Sequence, residues 1–338
     1  MKNFWVELPR PFFALAPLAN VTDAAFRRLI AKYSKPGALY VTYTEFVSAD
    51  GLMLAGQEGR AKLMRDLEFC EAERPVVAQF FTAIPKHMEQ AAALAQELGF
   101  DGVDINMGCP DKTIEKQGAG AKLMQNPELA VRLIAAAKRG APNLPISVKT
   151  RLGYNKDILD EWLPALLAAK PAAITIHART RKEMSKVPAR WERVKRAVEI
   201  RNETGNKTLI LGNGDLKDLA DAEQKIKESG ADGAMLGRAI FGRPWLFAEP
   251  ELPGQKSSGR FAQPDYLSVQ FRLRVLVQHT KLFEELLGDI KNFAIMKKHF
   301  KAYEEGFPGA KELRMRLMET TNAAEVEKVI KTFLKTAL

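Results

Sequence analysis

Residues 102–151 read GVDINMGCPDKTIEKQGAGAKLMQNPELAVRLIAAAKRGAPNLPISVKTR, and their pattern decides the fold. GVDINMG (102–108) and PISVKTR (145–151) are short apolar runs rich in β-branched residues, the mark of strands buried on both faces. Between them, residues 127–138 space apolar side chains three and four apart, with a proline suited to the first helical turn. Strand, helix and strand in that order form a crossover unit, which sets the two strands parallel.

Outward from this unit the same alternation continues in both directions. Candidate strands are FFALAPLA (12–19), ALYVTYTE (38–45), PVVAQFF (75–81), AAITIHA (172–178), KTLILGN (207–213) and GAMLGRA (233–239). Helical spacing falls at 23–33, 86–98, 158–168, 191–201 and 216–229. Eight strands with intervening helices in about 240 residues predict an α/β protein with a (β/α)8 TIM barrel. An open doubly wound sheet would carry a glycine fingerprint after its first strand, where this chain has NVTDA (20–24). EPELPGQKSSGRFAQPDY (249–266) is rich in Pro, Gly and Ser and reads as a linker. Beyond it, FRLRVLVQHTKLFEELL, NFAIMKKHFKAYEEG and AEVEKVIKTFLKTAL show only helical spacing, so the predicted division is a barrel at 1–248 and a helical bundle at 267–338.

Composition excludes several classes. Apolar residues at 46% and charged residues at 27% are those of an ordinary globular chain, not a disordered one. The two cysteines, Cys70 and Cys109, form no CxxC pair, so neither a disulfide framework nor a cysteine zinc site is expected, in keeping with a reducing cytosol. No apolar run reaches the ~18 residues of a membrane span, and MKNFWVELPRPFF lacks a secretory core, so the expectation is a cytoplasmic protein without membrane contact. Lysine and arginine number 51 against 41 acids, a formal charge of +10 that favours a polyanionic partner. Eight of these cations, Arg179, Arg181, Lys182, Lys186, Arg190, Arg193, Lys195 and Arg196, crowd 18 positions opposed locally by only Glu183 and Glu192.

In a barrel of this kind chemistry is done at the C-terminal strand ends. Those ends supply Gln79, Asn106 with Cys109, Lys149 with Arg151, His177 with Arg179, Asn213 with Asp215, and Gly237 with Arg238. Cys109 lies between a glycine and a proline in NMGCP, which displays the thiol on a tight loop. Lys149 closes an apolar strand and needs an anionic partner there, for which Glu45 and Asp104 are candidates. GNGD (212–215) and LGRA (236–239) put small residues and backbone amides after strands seven and eight, where barrels hold phosphate, and Arg238 adds a bidentate anchor. A metal centre is not expected, because no HExxH occurs and His177 is the only strand-end histidine.

With these residues in place the chain resembles the tRNA-dihydrouridine synthase family. The resemblance rests on ALAPLANVTDAAFRRL, TEFVSADGL, VDINMGCPDKTIEKQGAGAKLM, SVKTRLGY, IHARTR, LILGNGDL, MLGRAIFGRPWLF and MKKHFKAYEEGFPGAKELR, spread over nearly the whole chain. It implies an FMN-containing barrel that reduces the C5–C6 double bond of uridine in tRNA with NADPH as electron donor. Hydride would pass from reduced FMN to C6, and the Cys109 thiol would protonate C5. Pro17, Gln79, Lys149, His177, Asn213, Asp215, Gly237 and Arg238 match the family's cofactor-binding places. Asn106 and Arg179 match positions facing the uridine and its RNA, and Arg181, Lys182, Arg190 and Arg193 continue that basic side; a monomer is expected. The chain departs from the family at Leu18, where methionine is common, and in ARTRKEMSKVPARW (178–191), which lacks the usual glutamine, tyrosine and glycine before Trp191. An FMN barrel acting on a small pyrimidine or enone, or an RNA-binding homologue without turnover, are the alternatives.

Overall fold

A computed structural model describes residues 3–35, 39–248 and 268–337. The eight strands form where the short apolar runs lie: β1 Phe12–Leu15, β2 Tyr40–Ser48, β3 Val76–Phe81, β4 Gly102–Met107, β5 Ile146–Arg151, β6 Ala173–His177, β7 Leu209–Asn213 and β8 Gly233–Leu236. All pair in parallel with their sequence neighbours, and β8 closes on β1 through Phe13 and Ala234. The architecture is a (β/α)8 TIM barrel with further helices toward the C-terminus.

The helices follow their apolar stripes. Pro127–Gly140 starts with a proline at its first turn and an Asn126 side-chain cap, and buries Ala130, Leu133, Ile134, Ala136 and Ala137. Leu159–Ala168 continues through Pro164, because burial of Leu159, Trp162, Leu163, Leu166 and Leu167 offsets the lost backbone bond. Helices Ala49–Leu54, Gln57–Asp66 and Lys112–Lys116 were not expected. Gln57–Asp66 buries no residue, so it has no apolar stripe to find.

The barrel interior is graded. Trp5, from the short helix Phe4–Glu7, is buried and packs with Phe12, Ala14, Val41, Val77 and Leu211 in an apolar cluster. Toward the C-terminal strand ends the inward residues turn polar. The ladder sets Gln79 beside Asp104 and Asp104 beside Ser147; two residues further along, Asn106 stands beside Lys149. Another two along, Arg151, His177 and Asn213 are consecutive neighbours. Because side chains alternate faces along a strand, these two-residue steps keep the set on one face.

Contacts divide the chain into two compact units, Met1–Ala19 with Leu39–Arg238, and Asn20–Ala38 with Ala239–Leu338. This differs from the expected cut at residue 248, since helix Ala24–Ser34 clusters with the C-terminal helices. The reason is local to the second unit: Phe26 stacks on His279 at 4.6 Å and meets His299 at 4.8 Å, while Ser34 Oγ donates to the Pro244 carbonyl at 2.7 Å. An apolar stripe shows that a helix is buried but not against what. The expected linker, 249–266, lies outside the described residues.

Gly212 illustrates how tightly the barrel wall is filled. A Cβ there would stand 2.2 Å from the Trp191 ring, whose Nε1 donates to the Gly214 carbonyl at 2.9 Å. Gly212→Ala is expected to lower unfolding stability by about 1–3 kcal/mol through overpacking, measured by urea denaturation.

Candidate active site

Cys109 stands on the loop that follows β4, and several groups fix that loop. The backbone N–H groups of Gly108 and Cys109 donate to Asn106 Oδ1 at 3.1 and 2.9 Å. Arg151 Nε donates to the Gly108 carbonyl at 2.8 Å, and the same guanidinium reaches the carbonyls of Thr180 and Met184, tying the cysteine loop to the segment after β6. The Cys109 carbonyl accepts from the N–H of Ala121 at 2.9 Å. Gly120 lies at φ +60°, and a Cβ there would come within 2.8 Å of that carbonyl. The spacing of NMGCP and GAGAKLM is therefore a packing requirement. Cys109 packs against the cluster of Phe81, Ile114 and Ala119, and burial raises its thiol pKa above the ordinary value.

Lys149 and His177 project from β5 and β6 on the same inward face. Burial pushes the Lys149 ammonium down to about 8, with Arg151 adding repulsion and Asp104 offsetting part of it. Of the two carboxylates considered as its counterion, Asp104 is the one that acts on it. Burial in turn lifts Asp104 to about 6. Lys149 Nζ donates to Asn213 Oδ1 at 3.3 Å, and Asn213 Nδ2 donates to the Met235 carbonyl at 2.7 Å. His177 is pushed far below its ordinary value by burial and by Arg151, Lys149, Arg179 and Arg238, so the ring is neutral. Arg179 Nη1 lies 3.2 Å from His177 Nε2; since the guanidinium can only donate, the ring proton sits on Nδ1.

Arg179 is a structural arginine. Its side chain is 3% exposed and its guanidinium is divided among the Val187 carbonyl, His177 and Asp215. It does not present charge at the surface, as had been expected of it. Asn106 is likewise 5% exposed and holds the cysteine loop. Gln79 is fully buried between Asp104 and Asn106. Asp215, at φ +52°, also bonds Arg238 at 2.6 Å and the N–H of Ala189 at 2.9 Å. Burial alone would raise its carboxyl; the Arg179 bond, the Ala189 N–H and the Arg238 charge outweigh it and leave the group below the usual carboxylate range.

Three glycines were read as a phosphate cradle, and the structure separates them. Gly212 is required by Trp191, and Gly214 by its φ of +127° and an Ala189 contact that would be 2.8 Å. A Cβ on Gly237 would meet only Ala16 at 3.6 Å and Leu18 at 4.0 Å, ordinary contacts. Packing among the described residues gives Gly237 no steric requirement of this kind. Pro17, buried after β1, lies one residue beyond Ala16, whose N–H joins the Leu236 carbonyl at 2.8 Å.

The basic segment after β6 needs correction as a surface. Arg181 forms a bidentate pair with Glu115 and stacks on Tyr154 at 5.1 Å. Arg190 pairs with Glu183 at 3.1 Å, and Arg193 with Asp157 and Asp160 at 2.8 and 2.6 Å. Arg196 pairs with Asp160, Glu199 and Glu203. Most of these acids come from other parts of the chain, which local charge counting cannot see. Lys182, Lys186 and Lys195 are exposed and carry no ion pair among the described residues. The sequence reading gave no role to Glu115 or Gly120 and no assignment to Arg151. Only Arg151, at a strand end, carried a signal that could have found it.

The fold and this cluster define a TIM-barrel protein with a cationic site and a displayed thiol at the C-terminal strand ends. The model of the dihydrouridine synthase family matches residues 14–338. A probable tRNA-dihydrouridine synthase of Staphylococcus aureus (strain MRSA252) is 36% identical over 334 residues, 98% of this chain and 96% of that protein. A probable tRNA-dihydrouridine synthase 2 of Bacillus subtilis (strain 168) is 37% identical over 334 residues, covering 98% and 97%. Among solved structures, histamine dehydrogenase from Rhizobium sp. 4-9 shares the fold, with a TM-score of 0.51 at 10% identity over 80% of this chain and 49% of that one. The chain belongs to the dihydrouridine synthase family. Among the described residues, no group of three or more His, Cys, Asp or Glu could hold a metal, and no helix is long and apolar enough to cross a membrane.

Gly120→Ala, strained at positive φ and pressing on the Cys109 carbonyl, is expected to destabilise by about 1–3 kcal/mol and to speed alkylation of Cys109 by iodoacetamide, followed by peptide mass spectrometry. Lys149 supplies a pH signature. Its folded pKa of about 8 lies below the ordinary 10.5, so the unfolded chain holds more protons between those values and stability rises with pH across that window. Lys149→Met should therefore raise the melting temperature of the ligand-free protein at pH 7, with the gain fading between pH 8 and 10.5 in thermal melts.

Proposed function

We propose that this chain reduces the C5–C6 double bond of uridine in tRNA to dihydrouridine, with FMN as its cofactor and NADPH as electron donor. The observation that carries the reading is Cys109, whose thiol is held protonated by burial on a loop braced by Asn106, Arg151 and Gly120. The names of the relatives from Staphylococcus aureus and Bacillus subtilis support tRNA as the substrate.

The residues present fit FMN. Lys149 is a buried ammonium suited to an anionic partner, and a Cβ on Gly237 would make only ordinary contacts with Ala16 and Leu18, so nothing crowds the backbone there. Lys149, His177 and Asn213 would hold the ring and ribityl portions, with Gly237 and Arg238 toward the phosphate and Pro17, Gln79 and Asp215 completing the site. Bound FMN would supply the hydride that is added at uracil C6.

The chain's own residues do the rest. Cys109 donates the Sγ proton to C5, a role that its raised pKa suits at neutral pH. The positive charges of Arg151 and Lys149 then ease the resulting thiolate until solvent reprotonates it. Neutral His177 offers Nδ1–H as a donor, and Arg179 fixes that tautomer. A uracil stacked within folded RNA cannot reach barrel strand ends, so the nucleotide is taken out of the stack. Exposed Lys182, Lys186 and Lys195 provide backbone contacts on the barrel unit. The C-terminal helices, expected from the sequence as an RNA-binding domain at 267–338, would add Lys328, Lys331 and Lys335, which line an open depression on helix Ala323–Ala337.

With purified protein, NADPH and tRNA, nucleoside mass spectrometry should show dihydrouridine. Cys109→Ala should keep the flavin absorbance and lower the rate by about 10²-fold or more. Turnover of free pyrimidine with no RNA dependence would sink the substrate assignment, and full activity of Cys109→Ala would remove its acid role.

A further inference from the structure

An amide side chain has a direction, since its nitrogen only donates and its oxygen accepts; a carboxylate only accepts and a backbone N–H only donates. In the barrel interior these groups meet in an unbroken line. Ser147 Oγ donates to Asp104 Oδ1 at 2.6 Å, and Gln79 Nε2 donates to Asp104 Oδ2 at 2.6 Å. Asn106 Nδ2 donates to Gln79 Oε1 at 2.9 Å, and Asn106 Oδ1 receives the N–H groups of Gly108 and Cys109. Asp104 and Gln79 are fully buried, so water does not substitute at these joints.

We infer that Asp104 is a positioning residue for Cys109: its carboxylate sets the direction of the Gln79 amide, which sets that of Asn106, so that an oxygen faces the cysteine loop. Both ends of the line are fixed by chemistry, an acceptor at Asp104 and donors at Gly108 and Cys109. Turning either amide over would set donor against donor or acceptor against acceptor at a buried joint. The consequence for uridine reduction rests on the proposed role of Cys109 as proton donor; the geometry of the relay does not.

A reversed line can be built, which makes the inference testable. In Asn106→Asp the loop still finds an acceptor, but a carboxylate oxygen now faces Gln79 Oε1. If Gln79 turns to donate there, its oxygen is driven against Asp104. Adding Asp104→Asn supplies an amide N–H to that oxygen while Ser147 still finds an acceptor, and every joint is satisfied with the direction reversed. Adding Asp104→Leu instead removes the same negative charge but supplies no donor.

The experiment compares full-length wild type, Asn106→Asp and the two double variants by melting temperature, by the rate of Cys109 alkylation with iodoacetamide, and by kcat and KM for uridine reduction. Asn106→Asp should lower the melting temperature and change the alkylation rate about ten-fold or more. Asp104→Asn in that background should bring the alkylation rate back to within about three-fold of wild type and recover kcat at least about five-fold, whereas Asp104→Leu should recover neither. Equal rescue by Asp104→Leu would reduce the effect to charge relief and overturn the relay, as would no rescue by Asp104→Asn. If Asn106→Asp fails to fold, the same comparison is read in soluble yield and melting temperature. Rescue of alkylation and melting in a protein without uridine reductase activity would uphold the relay and defeat the proposed function instead.

Discussion

Alternate residues of a strand in a closed barrel have no direction to point except inward, and a polar side chain placed there has to find its partner on a neighbouring strand. The chain places Asp104, Asn106, Ser147, Lys149, Arg151, His177 and Asn213 on that face, along three consecutive levels of the ladder. Below them the apolar packing around Trp5 supplies no hydrogen bonds. The resulting imbalance is electrostatic: Lys149, Arg151, Arg179 and Arg238 outnumber Asp104 and Asp215. Lys149 pushed down to about 8 and His177 held neutral are both effects of burial beside cations. An anionic ligand at these strand ends would relieve that imbalance, which is why the same residues serve packing in the free chain and binding in the proposed function.

Arginine and lysine divide the work differently from what a count of charges implies. The five arginines between Arg179 and Arg196 are all engaged by carboxylates, and bidentate geometry suits them to that role. They hold the segment after β6 to the elements around it. The lysines of the same segment stay exposed, and lysine, as a mobile point charge, suits contact with a phosphate backbone. In this segment the charge left at the surface is therefore mainly that of lysine. The segment 178–191 is anchored by Arg181 to Glu115 and by Arg190 to Glu183.

Six of the strands were legible because they combine β-branched residues with burial on both faces, β1 and β8 as short apolar runs without them, and all eight formed within a few residues of the expected bounds. Gln57–Asp66 escaped because a helix with no buried face has no period to read. The sequence placed Cys109, Lys149, His177 and Asn213 at or just beyond C-terminal strand ends, and there they lie. What the residues then do with each other was not legible. Arg179 and Asn106 carried the same strand-end signal as Lys149, and only the partners at Val187, Asp215, Gln79 and the cysteine loop show that they brace the site. Glycine was ambiguous for a similar reason: Gly212 and Gly237 look alike in sequence, but a Cβ would strike an indole at one and make only ordinary contacts at the other.

Helix Ala24–Ser34 extends that point to whole elements. In sequence it occupies the place of the first barrel helix, and its apolar stripe is as clear as any. Its contacts are with the C-terminal helices, where Phe26, His279, His299 and Tyr303 form a buried aromatic group. Burial keeps both histidines neutral, pushing His299 down to about 3 and His279 well below its ordinary value. The aromatic part of that core is thus held by ring packing, beside the buried Arg27 and Glu304. Lysines on helix Ala323–Ala337 are left on its outer side, where Glu327 pairs with Lys281 and Lys331 while Lys328 and Lys335 stay exposed. The ring packing inside that unit does not depend on the lysines that its last helix displays, so the proposed RNA contact on that helix face would leave the packing undisturbed.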